Sequence, residues 1–133
     1  MLEQYKLENL FIAINGNPQR PGSGIKNLEG LSTKNIQVLT TVLQSLEKML
    51  SPYFDKRREI SKDFITEDEN GKKVFTDQVA LQEKLEELAK EEVEFEATKI
   101  NIIYSKTDKW LTIDLNKAFT DVYGDNFNLV ETD

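Results

Sequence analysis

The chain has 133 residues and a net charge of −7, from 17 basic and 24 acidic side chains. This length fits one domain with its own core, and the acidic balance opposes general binding to nucleic acid or to an anionic membrane, which both depend on cations. The absence of Cys and His excludes the usual zinc and haem sites, thiol chemistry and imidazole-activated nucleophiles. No cofactor is therefore expected.

The first 31 residues are predicted to form a strand followed by a loop arm. Residues 5–14 end in the apolar run "LFIAI", which has the length of a buried strand. Residues 15–30, "NGNPQRPGSGIKNLEG", are rich in Gly and Pro and must be a loop. This loop lacks the Gly-Lys-Ser/Thr sequence of a phosphate-binding P-loop. We therefore interpret it as a flexible or partner-docking arm, with Arg20 and Ile25 as candidate contacts.

The N-terminal segment "MLEQYKLENLFIAI" mixes acidic residues with a short apolar run. That pattern is typical of neither a signal peptide nor a transmembrane span. The protein is therefore expected to stay in the cytoplasm, without membrane contact.

A long helix is predicted from residue 32 onward. Ser32 or Thr33 is the candidate N-cap, and apolar residues then recur alternately three and four positions apart, as a heptad seam. The seam consists of Ile36, Leu39, Leu43, Leu46, Leu50 and Tyr53, and its register continues to Arg57, Ile60 and Phe64. A proline inside a helix costs about 3 kcal/mol, yet the heptad phase continues through Pro52. A kinked helix is expected, with a second segment capped by Ser51 as the alternative.

A second helix is predicted to follow a short connection and to be capped by Thr76. Its apolar stripe consists of Val79, Leu81, Leu85 and Leu88. Because the connection is short, the two helices are expected to pack antiparallel as a hairpin.

The connecting segment "TEDENGKKVF" resembles a calcium-binding loop in its acidity and its central Gly. With Gly71 at position 6 of such a loop, Asp68 and Asn70 occupy two of the ligand positions. Thr66, however, stands at position 1 without a carboxylate, and Asp77 replaces the bidentate Glu of position 12. We therefore interpret the segment as the tip of the helical pair, with a tiny hairpin in which "KKVF" pairs with "DFIT".

The second helix is rich in glutamate, and Glu87 and Glu91 share one of its faces. Glutamates at helical spacing usually form a solvated face, although such a face could also hold a magnesium ion or mimic the charge of a nucleic acid. Glu87 and Glu91 are kept as candidate partner-binding residues, and no metal ligand is assigned.

A β element and a short helix are predicted after the hairpin. Apolar residues alternate from Val93, and their parity shifts after Lys99, which indicates a bulge or a turn between two short strands. A strand over residues 93–104 is favoured, and it could pair with the N-terminal strand. Asp114 is the candidate cap of a helix that ends at Gly124.

Aromatic residues concentrate in the last 30 positions. The simpler interpretation is a core that closes over the sheet. Because aromatic anchors dominate interfaces, Tyr123, Phe127 and Leu129 are also kept as candidates for a partner-binding arm. Residues 125–133 show no periodicity and are expected to be a frayed tail or a docking arm.

The order of these segments resembles that of small uncharacterised proteins encoded by tailed phages. The likeness rests on "KLENLFI", a Leu-rich helix, the turn "DENGK" and "LQEKLEELAKEEVEFE", and it covers residues 6–102. In that group a helical hairpin with a "DE-x-G"-like turn precedes an "L-x-x-E-x-V-x-I"-like strand. The Gly/Pro loop and the aromatic C-terminal region depart from the group. Since the group has no established activity, the resemblance implies a context and assigns no site residues.

The predicted fold is α+β, mainly α: a long antiparallel helical hairpin with a kinked first helix, packed with a small two- or three-stranded β-sheet, and a short C-terminal helix. One domain is expected, divided into residues 1–31, 32–91, 92–124 and 125–133.

The predicted function is that of a non-enzymatic structural or assembly protein of a phage particle. Its expected partners are other copies of itself or other phage structural proteins, in the host cytoplasm or in the virion, with no direct contact to nucleic acid. The alternatives are an acidic inhibitor that binds a host protein as a nucleic-acid mimic and, third, a metal-dependent enzyme.

Overall fold

The computed structural model describes residues 1–17, 19, 24–25, 31–105 and 107–132. Its helices are α1 (Gln4–Asn15), α2 (Thr33–Lys62), α3 (Gln78–Lys90) and α4 (Ile113–Tyr123). Its strands are β1 (Leu2–Glu3), β2 (Ile65–Glu67), β3 (Lys73–Phe75), β4 (Glu92–Val93), β5 (Ile100–Ser105) and β6 (Phe127–Thr132). The predicted α+β, mainly α class is confirmed. None of the helices in these ranges is long and apolar enough to cross a membrane.

The predicted N-terminal strand is wrong, because residues 4–15 form helix α1. The side chains of Leu7, Leu10 and Ile14 are fully buried, and their spacing of three and four residues places them on one helical face. Helix α1 packs against α2, α3 and α4. The run "LFIAI" is therefore apolar because it belongs to a helix that is enclosed on several sides. A short apolar run fits a buried helix and a buried strand equally well, so the sequence alone does not decide between them.

Helix α2 begins where the sequence predicts, with the Ser32 hydroxyl accepting a hydrogen bond from the backbone N–H of Asn35 at 3.2 Å. It runs through Pro52 as one helix, so a second segment capped by Ser51 does not form. The heptad seam from Leu39 to Tyr53 is buried. Ile36, in contrast, is 40% exposed, and the neighbouring Asn35 faces inward instead.

The connection between α2 and α3 forms the predicted hairpin. Strands β2 and β3 pair antiparallel, with Ile65 beside Phe75 and Glu67 beside Lys73. Helix α3 is capped by Asp77, whose carboxylate accepts from the N–H of Ala80. The predicted cap Thr76 instead donates its N–H to the carbonyl of Phe64 at 2.7 Å.

The N-terminal segment is hydrogen-bonded to the C-terminal end of α3. The buried Gln4 side chain donates from Nε2 to the carbonyl of Leu88 at 2.9 Å, and the Gln4 N–H donates to the carbonyl of Glu91 at 3.0 Å. The Leu88 carbonyl also accepts from the N–H of Glu91 at 3.2 Å, so the Gln4 side chain adds a second hydrogen bond at the last turn of α3. Beside them β1 and β4 pair over two residues, Leu2 with Val93 and Glu3 with Glu92.

The predicted strand over residues 93–104 is only partly correct. It divides into β4 and β5, and the main strand partner is wrong: β5 pairs in parallel with β6, from Ile100 beside Phe127 to Ser105 beside Thr132. The predicted frayed tail therefore forms strand β6 over Phe127–Thr132. Two parallel strands require a crossover, and α4 supplies it. The cap of α4 is Thr112 rather than Asp114, while Gly124 ends it as predicted, with φ of 56°.

The buried side chain of Asn35 joins α2 to β5. Its Nδ2 donates to the carbonyl of Ile103 at 2.6 Å, and its Oδ1 accepts from the Ile103 N–H at 3.0 Å. The amide thus makes the pair of hydrogen bonds that a neighbouring strand would otherwise make. Strand β5 is thereby held by β6 on one edge and by Asn35 on the other.

Replacement of Asn35 by Ala should lower the free energy of unfolding by about 2 kcal/mol, because it leaves the partly buried N–H and carbonyl of Ile103 without partners. The matched control is Asn116→Ala, an exposed helical Asn, which should stay within about 0.5 kcal/mol of the parent. Urea denaturation of the three proteins measures both values. Equal stabilities of the two variants would show that the amide pairing contributes nothing.

Candidate partner-binding surfaces

Of the three C-terminal candidates, Tyr123 lies in the core, and Phe127 and Leu129 are half-buried against it. Tyr123 is only 5% exposed, and its ring meets that of Phe95 edge-on at 5.5 Å. The ring of Phe127 stacks on that of Phe119 at 4.7 Å, and Leu129 pairs with Ile102 in the sheet. These three residues therefore belong to the packed fold rather than to a separate arm, and their role in partner binding stays a prediction. Strand β6 packs Phe127 and Leu129 against the core, while residues 130–132 are exposed.

Of the two loop candidates, Arg20 lies outside the described residues. Ile25 is half-buried and packs against the hydrophobic core. Next to it, Gly24 lies so close to α1 that an added Cβ would stand 2.5 Å from the carbonyl carbon of Asn15 and 2.6 Å from the carbonyl oxygen of Ile14. At Gly24 and Ile25, the loop therefore packs onto α1 and does not project as an arm.

The candidates Glu87 and Glu91 are exposed, as the sequence predicts. They line a shallow groove of about 340 Å³ between α2 and α3, together with Glu59, Lys56 and Lys84. The two lysines reduce the negative potential there, so this surface is mixed in charge. Among the described residues, no three His, Cys, Asp or Glu side chains are grouped so that they could hold a metal ion.

The acidic loop between β2 and β3, which resembles a calcium-binding loop, is held in its conformation by Asp68. Its Oδ1 accepts hydrogen bonds from the backbone N–H groups of Asn70 at 2.9 Å and Lys72 at 2.8 Å. Its carbonyl accepts from the N–H of Gly71 at 3.0 Å, and Gly71 has the positive φ of 75° that the turn requires. The carboxylate that would have bound an ion instead closes the turn between β2 and β3.

The hairpin of residues 65–75, which we call the hairpin arm, exposes apolar side chains. Phe75 is 51% exposed, Val74 39% and Ile65 36%. Ile65 and Phe75 are register partners on one face of the arm, and Val74 lies on the other, because neighbouring strand residues face opposite ways. Just beyond the arm, Val79 in the first turn of α3 is 71% exposed.

The arm is fixed at its base. The carbonyl of Phe64 accepts from both the N–H and the hydroxyl of Thr76, and the ammonium group of Lys84 lies 5.4 Å from the centre of the Phe64 ring. All residues of the arm itself are exposed. The pairing of the hairpin is therefore continued by Phe64 and Thr76, Lys84 of α3 contacts its base, and both faces of the arm stay in contact with solvent.

Comparison with known protein families, with curated proteins and with solved structures finds no match to this chain. The assignment of the hairpin arm as the main candidate surface therefore rests on its own geometry. The sequence contains a signal for it, since "KKVF" and "FIT" place apolar residues in an otherwise polar turn. From the sequence alone, this segment is predicted only to form the tip of the helical pair.

Two further clefts, similar to each other in volume, lie away from the hairpin arm. One, of about 390 Å³, separates α1 from α4 and is lined by Trp110, Ile25 and Lys117. The other, of about 400 Å³, lies between α2 and the segment that leads into β5, and is lined by Thr41, Ser45 and Lys99. Both are open grooves beside the core, and the second also borders the buried Tyr123.

Burial raises the pKa of Tyr123 above its usual value of 10.0. The native state therefore retains the phenolic proton at a pH where the unfolded chain loses it, so this contribution to stability is present below about pH 10 and is lost as the pH rises further.

Tyr123→Phe should lose less free energy of unfolding than the parent protein between pH 9 and pH 11, measured by urea denaturation. The control is Tyr5→Phe, at a tyrosine that is 36% exposed. Parallel declines of the Tyr123→Phe variant and the parent would contradict burial of the Tyr123 hydroxyl.

Phe75 and Phe119 should differ sharply in their effect on stability. Phe75→Ser should change the free energy of unfolding by less than about 0.5 kcal/mol, because half of the side chain is already in water. Phe119→Ala should cost about 3 to 5 kcal/mol, because that ring is 1% exposed. Urea denaturation of both variants tests the pair. A large loss in Phe75→Ser would mean that the arm is part of the folding unit rather than a docking element.

Proposed function

We propose that this protein acts without catalysis, as a structural or assembly component of a tailed-phage particle, through protein–protein contacts made by the hairpin arm. The observation that carries the proposal is the exposure of Phe75, Val74 and Ile65 on a paired hairpin between α2 and α3. In this role the protein resides in the host cytoplasm, in the assembled particle, or in both.

The energetics of the arm favour a partner. An isolated two-stranded hairpin is only marginally stable in water. Complete burial of a side chain such as Phe75 or Ile65 contributes about 1.5 to 3 kcal/mol. Because Ile65 and Phe75 are register partners, one apolar pocket on a partner can take both side chains at once. Aromatic residues of this kind are typical anchors of interfaces.

The charges of the arm fit a rim around that anchor. Glu67 and Lys73 lie side by side across the two strands, and Asp68, Glu69 and Lys72 follow at the turn. A core of apolar residues within a polar rim of both signs is the usual composition of a specific interface. A partner surface with a central apolar pocket and polar groups of both signs around it is the best match.

The phage setting is supported by the sequence resemblance over residues 6–102. Its segments correspond to helix α1, the turn of the hairpin arm, and helix α3 with the start of β4. The turn "DENGK" is therefore the part of the resemblance that coincides with the proposed docking element.

The nucleic-acid mimic is less well supported. Such a protein needs a continuous negative surface, and Lys56 and Lys84 lie in the same groove as Glu87 and Glu91. We therefore do not propose this function.

A photo-reactive amino acid at position 75, in the full chain expressed in its own biological setting, should cross-link to one other protein of defined mass. The reference site is position 41, an exposed position on α2, which should give no such product. Addition of Ile65→Ser to the position-75 variant should reduce the yield about tenfold, since burial of one such side chain contributes about 1.5 kcal/mol or more. Equal products from positions 75 and 41, or no product at position 75, would refute the docking role of the arm.

A further inference from the structure

The cleft between α2 and the segment that leads into β5 has the size of a small-molecule site. Its volume is about 400 Å³, and such sites range from roughly 300 to 1,000 Å³. Val38 and Val42 line one wall from a single face of α2, because they lie four residues apart. Residues between 95 and 101 supply the opposite wall. Three buried residues, Val42, Ile100 and Tyr123, form the floor. A molecule that enters the cleft therefore rests on the hydrophobic core.

The hydroxyl of Tyr123 opens into this cleft. Tyr123 is 5% exposed, and its hydroxyl has no hydrogen-bond partner among the residues that the structure describes. In this part of the chain, every fully enclosed side-chain N or O atom has a partner. The unpartnered hydroxyl must therefore touch solvent, and the cleft that Tyr123 lines is the place where it does so.

This hydroxyl is a hydrogen-bond donor without an acceptor. Burial raises the pKa of Tyr123 above its usual value of 10.0, so the phenol keeps its proton at neutral pH and its O–H group is available to donate. A buried Tyr usually has a partner for this group, because an unmade hydrogen bond is costly in an enclosed site. A ligand of this cleft is therefore expected to place an acceptor at the floor.

Tyr123 differs in this respect from the other hydroxyl groups of the cleft. Thr41 already donates its hydroxyl to the carbonyl of Gln37 at 3.0 Å. Ser45 and Thr98 are exposed, and water satisfies exposed hydroxyls at little cost. Tyr123 is therefore the group that distinguishes a ligand with an acceptor from a ligand without one.

The charges at the rim favour a neutral ligand. Glu96 and Lys99 both line the cleft, and both are exposed. Neither forms an ion pair within the described ranges, and their opposite charges give the rim no net charge. Because Val38, Val42 and Phe95 are apolar, an ion that leaves water for this cleft loses its hydration without a matching gain.

We propose that this cleft binds a small neutral molecule with an apolar body and one carbonyl or ether oxygen, which accepts a hydrogen bond from the Tyr123 hydroxyl. The apolar body contacts Val38, Val42 and Phe95, and it leaves water in doing so. Water can also accept this hydrogen bond, but it gains nothing from the apolar walls. The proposal goes beyond the docking role of the hairpin arm, because the residues that line the cleft all lie outside the arm.

Titration of the isotope-labelled full chain with acetophenone, an apolar ring that carries one carbonyl, tests the proposal by NMR. The backbone amide signals of residues 95–101 should shift and the shifts should saturate, while those of the hairpin arm should stay unchanged. Toluene, which has the ring without an acceptor, should bind about fivefold more weakly, the usual effect of one hydrogen bond. Failure of acetophenone to give saturable shifts at residues 95–101 would overturn the proposal.

Two tyrosine variants test the role of the hydroxyl. Tyr123→Phe keeps the ring and removes the donor, so it should weaken the binding of acetophenone about fivefold and leave that of toluene unchanged. Tyr5→Phe, at an exposed tyrosine outside the cleft, should bind both probes like the parent. Circular dichroism confirms that both variants are folded. An equal effect of Tyr123→Phe on the two probes, or no effect on either, would show that the hydroxyl does not hold the ligand and would refute the assignment.

Benzoate tests the preference for a neutral ligand. It has the same ring with a charged acceptor, and it should bind more weakly than acetophenone. Tighter binding of benzoate than of acetophenone would assign the cleft to anions and contradict the proposal. The cross-link from position 75 should persist in Tyr123→Phe, so that failure of the cleft and failure of the hairpin arm can be told apart.

Discussion

The structure depends on the enclosure of helix α1. Its inner face is completely buried at Leu7, Leu10 and Ile14, and α2, α3 and α4 each form one side of the enclosure. Burial of apolar surface is the main favourable term in folding, and here most of the chain is arranged around twelve residues. The helical hairpin and the β5–α4–β6 unit are therefore two parts of one core.

Polar side chains decide how these parts meet. Gln4 joins α1 to the end of α3, Asn35 joins α2 to β5, and the guanidinium of Arg57 in α2 pairs with the carboxylate of Glu8 in α1 at 2.7 Å. The same guanidinium lies 5.2 Å from the ring centres of Tyr53 and Phe54. Apolar contacts alone tolerate small shifts between elements, whereas buried hydrogen bonds are costly to leave unmade. These residues therefore fix the register of the packed elements.

The sequence predicts the local elements of this fold better than their partners. The heptad seam of α2, the Ser32 cap, the hairpin and the end of α4 at Gly124 follow from patterns a few residues long. The pairing of β5 with β6 does not, because it joins residues on either side of a helix, and "FNLVET" alone has no marked alternation. The same gap explains the site assignments. The packing of Tyr123, Phe127 and Leu129 depends on where β6 lies in the sheet, and the importance of Phe75 depends on its exposure; neither can be read from the sequence.

The enclosure of α1 also sets an order of events during synthesis. The apolar segment of α1 leaves the ribosome before every element that covers it, and α4 ends more than a hundred residues later in the chain, at Tyr123. At about 5 to 20 residues per second, that interval lasts roughly 5 to 20 s. During this time α2 and α3 can already form a local pair, since contacts close in sequence form fastest. Helix α1 can thus be covered on two sides by α2 and α3 as soon as these have formed, while its third side waits for α4.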